Sequence, residues 1–154
     1  MAAKRCYRVA VARLPDDLSA IYHVRRQVFV VEQGIPEHLE WDGRDDACHH
    51  VLATDALHEP IGTGRLDCCG RIGRMAVLPS WRDRGVGGEL LAALLALARA
   101  QGLPEVVVHA QCAVTGFYRK AGFQKQGEPF SEAGIEHLLM VRTLDNDNNG
   151  KRNA

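Results

Sequence analysis

Met75-Ala76-Val77-Leu78-Pro79-Ser80-Trp81-Arg82-Asp83-Arg84-Gly85-Val86-Gly87-Gly88-Glu89-Leu90-Leu91 is the stretch whose reading decides the fold. It begins as an apolar strand that stops at Pro79. A loop follows with three glycines in the four positions 85 to 88. Then a Leu/Ala-rich segment reads as a helix over Val86–Gln101, about 24 Å long at 1.5 Å per residue. Gly102 and Pro104 supply its stop. Glycines let the backbone turn tightly and let a ligand approach its N–H groups. A helix N-terminus adds unpaired donors and the positive end of the dipole. Strand, glycine loop and helix together make an anion site suited to a phosphate or pyrophosphate, with Arg82 and Arg84 close by.

Several readings compete for that site. A Walker loop needs Gly-Lys-Ser/Thr before the helix, which is absent. A dinucleotide fingerprint needs G-x-G-x-x-G, and Leu90 stands at its third position. Arg/Gln-x-x-Gly-x-Gly/Ala is met by Arg82-x-x-Gly85-x-Gly87. A glycine-rich turn that binds nothing is the plain alternative, against which stands the backbone entropy that three glycines cost.

Before this stretch, Tyr7 to Leu14 alternates as a first strand, and Pro15-Asp16-Asp17 turns into a helix start. Leu18, Ile21, Tyr22, Arg25, Val28 and Phe29 keep helical spacing until Gly34-Ile35-Pro36. Residues 37 to 47 are polar and acidic, a short helix or loop. Val51–Ala56 and Ile61–Cys68 read as a hairpin around His58-Glu59-Pro60, and Ile72–Leu78 as the third strand of a meander. Beyond the long helix, Val106-Val107-Val108 reads as a buried strand. A helix over Ala113–Lys120 follows, then strands Phe123–Gly127 and Ile135–Thr143 with a polar loop between. This order predicts one α/β (mixed α+β) domain over residues 1–144 on a mixed sheet. Asp145 to Ala154 is Asn-rich, charged and free of large apolar side chains, and is expected to be a disordered tail.

With 154 residues the chain fits one domain. Its formal net charge of zero argues against broad attraction to nucleic acid or an anionic membrane. No secretory signal is visible at the start, and the longest apolar run, Leu90 to Ala98, is too short to span a bilayer. The five cysteines are odd in number and lack Cys-x-x-Cys spacing, so no disulfide framework or zinc site is expected and a reducing cytoplasm is the simplest home. Cys48-His49-His50 alone is too short a cluster to hold a metal, and none is expected.

Arg82-x-x-Gly85-x-Gly87 resembles the coenzyme A pyrophosphate loop of the GNAT acetyltransferases. Phe117-Tyr118-Arg119-Lys120-Ala121-Gly122-Phe123 resembles the Phe-Tyr-x-x-x-Gly-Phe motif that follows the strand after that loop. Val24-Arg25-Arg26-Gln27-Val28-Phe29-Val30-Val31-Glu32-Gln33-x-Ile35-Pro36, Glu40-x-Asp42, Asp45, His50, Gly62-Thr63-Gly64-Arg65-Leu66 and His109-Ala110-Gln111 look like the ElaA/YjcF-like branch of that family. Cys112-Ala113-Val114-Thr115-Gly116, ahead of Phe117, departs from the pattern, and Gly116 is expected to loosen the helix that places Tyr118.

The resemblance implies a single GNAT domain. It would be a splayed mixed sheet of about six to seven strands flanked by about four helices. Strands Arg71–Leu78 and Val106–Ala110 would be parallel neighbours parting at one end. Acetyl-CoA would be the co-substrate, its pantetheine arm along Met75, Ala76 and Val77 and its pyrophosphate at Arg82, Arg84, Gly85, Val86, Gly87 and Gly88. A backbone N–H near Val77 would stabilise the oxyanion. The acceptor would be a primary amine of a small molecule or peptide, attacking directly, and a homodimer is a family-level expectation. Tyr118, also in contact with the cofactor, would protonate the departing thiolate, since a phenol of pKa about 10 is protonated at neutral pH. A lysine-like amine of pKa about 10.4 must lose a proton first, so a base or water is required. The candidates are Glu32, His50, Asp67, His109 and His137, with His109 placed at the strand end facing the gap.

Cys112, three residues after His109, suggests a covalent acyl-enzyme, but direct transfer is the family's usual route. A non-catalytic acetyl-CoA sensor and a nucleotide-phosphate binder are the other readings. The acidic residues at 32, 37, 40, 42, 45 and 46 either attract a cationic amine or form a solvated loop.

Overall fold

The computed structural model describes residues 6–144, so the expected tail lies outside the described residues. In chain order the elements are β1 (Tyr7–Val11), α1 (Leu18–Arg25), a π-helical stretch (Arg26–Glu32), α2 (Glu37–Glu40), β2 (His49–Asp55), β3 (Pro60–Leu66) and β4 (Arg71–Val77). Then come α3 (Val86–Ala100), β5 (Glu105–Gln111), α4 (Thr115–Lys120), β6 (Gln124–Lys125), β7 (Phe130–Glu132) and β8 (Ile135–Thr143). The strands form one mixed sheet in the order β1-β2-β3-β4-β5-β8-β6, with β7 also on β8. Only β4 and β5 pair in parallel among the described strands. The sheet has eight strands where the sequence suggested six or seven. The extra one is β7, inside the stretch read as a polar loop.

β4 and β5 hold together only through the pairs Arg71↔Val107 and Ile72↔Val108. From Gly73 and His109 onward the two strands part. The bulge in β4 marks the same place. Thr63 faces Ala76 and Arg65 faces Gly73, so Gly64 alone stands opposite Arg74 and Met75. Arg74 adopts φ 50°, rare for a non-glycine residue. The extra residue reverses which face β4 presents. Ile72 packs under α3, whereas Ala76 packs on the opposite side with Val24, Val28, Phe29 and Ile35.

α3 covers one face with Val86, Leu90, Leu91, Leu94, Leu95 and Ala98. It sits close because β3 carries glycines beneath it. A Cβ on Gly62 would lie 2.9 Å from Leu90 Cδ1, and one on Gly64 2.8 Å from Leu94 Cδ1. α1 covers the other face with Ile21 and Val24. The single helix expected from Leu18 to Phe29 is α-helical only to Arg25. It then widens to a π-helix, with Gln33 N–H bonded to the carbonyl of Val28 five residues back.

The acidic 37–47 segment is pinned by charge. Arg25, fully buried, donates to Glu40 Oε1 at 2.7 Å, Asp45 Oδ1 at 2.6 Å and the Glu40 carbonyl at 3.0 Å. Arg65 donates to Asp42 at 2.8 and 3.0 Å and to Asp45 at 3.0 Å. Arg74 lies 3.3 Å from both Glu40 and Asp42. Glu37 pairs with Arg26. Glu32 pairs with Arg82 in the same way, so that of the six acids only Asp46 has no arginine partner among the described residues. Among the described residues, no helix is long and apolar enough to cross a membrane.

Candidate active site

Where β4 and β5 part, a cleft of about 750 Å³ opens. Met75, Ala76 and Val77 line one side, and His109 and Gln111 the other. Gly85, Val86, Gly87 and Gly88 close one end. Gly85 begins α3 in the left-handed conformation, φ 87°, which a side chain would resist. Among the described residues no side chain caps this helix, and its first bond runs from the Glu89 N–H to the Gly85 carbonyl. The N–H groups of Val86, Gly87 and Gly88 thus stand outside the helical ladder at the cleft wall.

Arg82 is partnered where it stands. It donates to Glu32 at 2.6 and 2.7 Å, and its Nε donates to the Val77 carbonyl at 3.0 Å. The hydrogen bond and charge of Arg82 hold the Glu32 carboxyl below its usual range. Beside it, the Gln33 and Gln111 amides exchange bonds at 2.9 and 3.3 Å. Glu32, the last residue of the π-helix, and Gln33 after it thereby tie the loop behind β4 to the end of β5, as a strap across the cleft. Arg84 lies outside the cleft lining, with its guanidinium 4.8 Å over the Trp81 ring.

Tyr118 lines the cleft and is 6% exposed. Phe117 and Phe123 meet its ring edge-on at 5.0 and 5.6 Å. Burial pushes the phenol up to about 12, so it keeps its proton.

At the other end, His109, Glu132, His137 and Arg71 line the cleft together. His109 Nδ1 lies 3.2 Å from Glu132 Oε1, and Arg71 Nη2 lies 3.5 Å from the same oxygen. His137 Nε2 is 3.7 Å from Glu132 Oε2, and its Nδ1 is 2.7 Å from the Ile135 carbonyl. Burial raises the Glu132 carboxyl. The hydrogen bond from His109 and the charges of His109, Arg71 and His137 outweigh it, and the net shift is downward. Sequence reading missed Glu132 because β7 was missed with it. The trace that remained was Gly134, a turn residue directly ahead of Ile135–Thr143.

The other candidate bases sit elsewhere. His50 is buried away from the cleft, its Nε2 2.9 Å from the Asp45 carbonyl and its Nδ1 without a hydrogen-bond partner among the described residues; burial lowers its pKa. Asp67 caps the β3–β4 turn, accepting from the Cys69 and Arg71 N–H groups at 2.9 Å. Cys112 is half-buried and outside the cleft lining.

Residues 18–144 match the family described as the Acetyltransferase (GNAT) domain. The uncharacterised N-acetyltransferase YjcF of Bacillus subtilis (strain 168) is 34% identical over 139 residues, covering 88% of this chain and 99% of its own. The crystal structure of Escherichia coli ElaA superposes with a TM-score of 0.76 at 27% identity, over 88% of this chain and 97% of ElaA. A GNAT family acetyltransferase from Elizabethkingia anophelis, solved with acetyl-CoA bound, shares the fold. Its TM-score is 0.67 at 19% identity, over 92% of this chain and 100% of that one.

Proposed function

The chain belongs to the GNAT family of acetyltransferases, and on that premise we propose that it transfers the acetyl group of acetyl-CoA to a primary amine by direct attack. The observation that carries the reading is the coincidence of three things in one cleft. β4 and β5 part there, the uncapped α3 N-terminus closes one end, and Tyr118 is buried in the wall.

The residues present fit the donor. The N–H groups of Val86, Gly87 and Gly88 offer donors to a pyrophosphate, and a Cβ added at Gly88 would meet nothing. The edge of β4 at Met75, Ala76 and Val77 offers backbone groups to an extended amide-bearing arm. Arg82 reinforces this end through Val77, and Arg84 adds charge behind the loop. When bound, acetyl-CoA supplies an acyl carbon activated as a thioester.

The chain's own groups then handle two protons. His109 donates its Nδ1–H to Glu132, which leaves Nε2 with a lone pair to take a proton from the attacking amine. The C–N bond forms and the C–S bond breaks. Tyr118 gives its proton to the departing sulfur and recovers it from solvent. A phenol near 12 is a weaker acid than an ordinary one, so this transfer needs the thiolate to feel the same burial, which raises its basicity too. A backbone N–H near Val77 stabilises the developing oxyanion.

The test is Tyr118→Phe. Turnover measured by thiol release is expected to fall about a hundredfold, with CoA affinity kept. Unchanged turnover removes Tyr118 from the mechanism. CoA binding without thiol release in the wild type, whatever the amine, would make the protein a sensor instead.

A further inference from the structure

Resting on that reading, we propose that the acceptor is an amine carrying its own carboxylate close to the nitrogen, an amino-acid-like zwitterion held over Gly73 by Arg71 and Arg74. Four observations converge on this. Gly73 lies just beyond the last pair joining β4 to β5, level with His109 across the opening split. A Cβ built on Gly73 would meet nothing, so the floor of the cleft is open there. Arg71 and Arg74 flank that opening in sequence, and both line the cleft. The bulge is what brings them to one end of it, through the positive φ of Arg74.

The two guanidiniums differ from the other arginines nearby. Arg25 and Arg65 are saturated by carboxylates at 2.6–3.0 Å. Arg71 makes a single side-chain contact among the described residues, 3.5 Å to Glu132, and its side chain is 32% exposed. Arg74 reaches the carbonyls of Leu39 and Glu40 and the carboxylates of Glu40 and Asp42, each only at 3.3 Å. A carboxylate over Gly73 would give these forks the short paired bonds they lack.

The same contacts place the two ends of the acceptor together. His109 and Arg71 both lie within 3.5 Å of the same Glu132 oxygen. The shared oxygen sets the proposed base and the proposed carboxylate anchor at the same end of the cleft, so an acceptor that reaches both carries its carboxylate near its amine. Glu132 would position His109, and its negative charge would favour an approaching ammonium group.

The experiment pairs each of a set of amino acids with its carboxamide and with the amine lacking the carboxyl carbon, all with saturating acetyl-CoA and the full chain. The best amino acid is expected to exceed its carboxamide at least tenfold in kcat/KM. Arg71→Met should bring that ratio to within about twofold while the KM for acetyl-CoA stays put. Equal or better transfer to the carboxamides or amines overturns the proposal. So does a ratio unmoved by Arg71→Met, and so does CoA binding with no transfer to any amino acid. Failure to bind CoA at all removes the donor reading, and this inference falls with it. Arg71 is the residue to change because Arg74 also braces the buried acids, and its loss would threaten folding.

Discussion

Replacing Arg25 with methionine removes the most deeply buried charge among the described residues. Methionine fills much of the same volume, so the loss is electrostatic more than a cavity. Breaking a buried ion pair from one side costs about 3–5 kcal/mol, because the partner is left uncompensated. Here the partners are only half abandoned. Asp45 keeps Arg65 at 3.0 Å, and Glu40 keeps Arg74 at 3.3 Å. The low end applies, about 3 kcal/mol, which for a chain of this size is a Tm drop of about 10 °C. Urea and thermal unfolding at pH 7 measure both. The loss should also depend on pH in a stated direction. Burial already holds the Glu40 carboxyl above its ordinary value despite Arg25, Arg74 and Arg65. A carboxyl with a raised folded pKa binds its proton better in the native state than in the unfolded chain. Acidification therefore favours the fold until the pH falls below the unfolded value. Without Arg25 that pKa rises further, so the deficit should shrink from pH 7 to pH 5, and Glu40→Gln should restore part of it at pH 7. A deficit below about 1 kcal/mol with no pH dependence would refute the reasoning, since it would mean that desolvation of the ions cancels their attraction.

The remaining predictions concern packing and chemistry. Gly64→Ala should cost about 1–3 kcal/mol in urea unfolding, because the new Cβ arrives 2.8 Å from Leu94 Cδ1; no loss would mean that α3 moves away freely. Glu132→Gln should lower kcat/KM about tenfold or more with CoA affinity unchanged, while Arg71→Met leaves that effect in place. The folded Glu132 carboxyl is depressed, so it contributes stability above its unfolded pKa that is lost as the pH falls through the folded value. Glu132→Gln should therefore flatten the acid limb of the stability curve below about pH 4.5, read by urea unfolding at pH 4 and 7. Intact mass spectrometry under turnover should find no acetyl group on Cys112; finding one would replace direct attack with a covalent route.

Periodicity served the long elements and failed at the short ones. Ile135–Thr143 stands as read, and α3 ends one residue early, because nine and fifteen residues give a pattern room to repeat. β7 spans three residues, too few for alternation to register. Its turn is also disguised. Ala133 and Gly134 both have positive φ, 53° and 75°, as a two-residue hairpin turn demands, but alanine is a poor signal for that backbone. Glu132 was lost with it, although His109 and His137, its partners, were both legible. The switch to π-helix at Arg26 left no trace, since Val28 and Phe29 still fall on the buried stripe that an α-helix would give. The glycine loop was legible because glycine at a helix start has few uses. The partners of Arg82 were not, because Glu32 lies fifty residues away in the chain.

The bulge at Arg74 explains why cleft and core come together. Without the extra residue, Ala76 would stay on the side of Ile72, where Val86, Leu90 and Leu94 already pack. The apolar patch of Val24, Val28, Phe29 and Ile35 would then lose its contact in β4. β4 would also continue alongside β5 past Ile72, and its edge would be paired instead of open. A positive φ at a non-glycine residue costs about 1–3 kcal/mol, so something must hold it. The restraint is visible in the carbonyls of Leu39 and Glu40 and the carboxylates of Glu40 and Asp42, all within 3.3 Å of the Arg74 guanidinium. The buried acids thus do more than neutralise arginines. They hold the strained residue that parts the two strands, and the cleft opens between those strands.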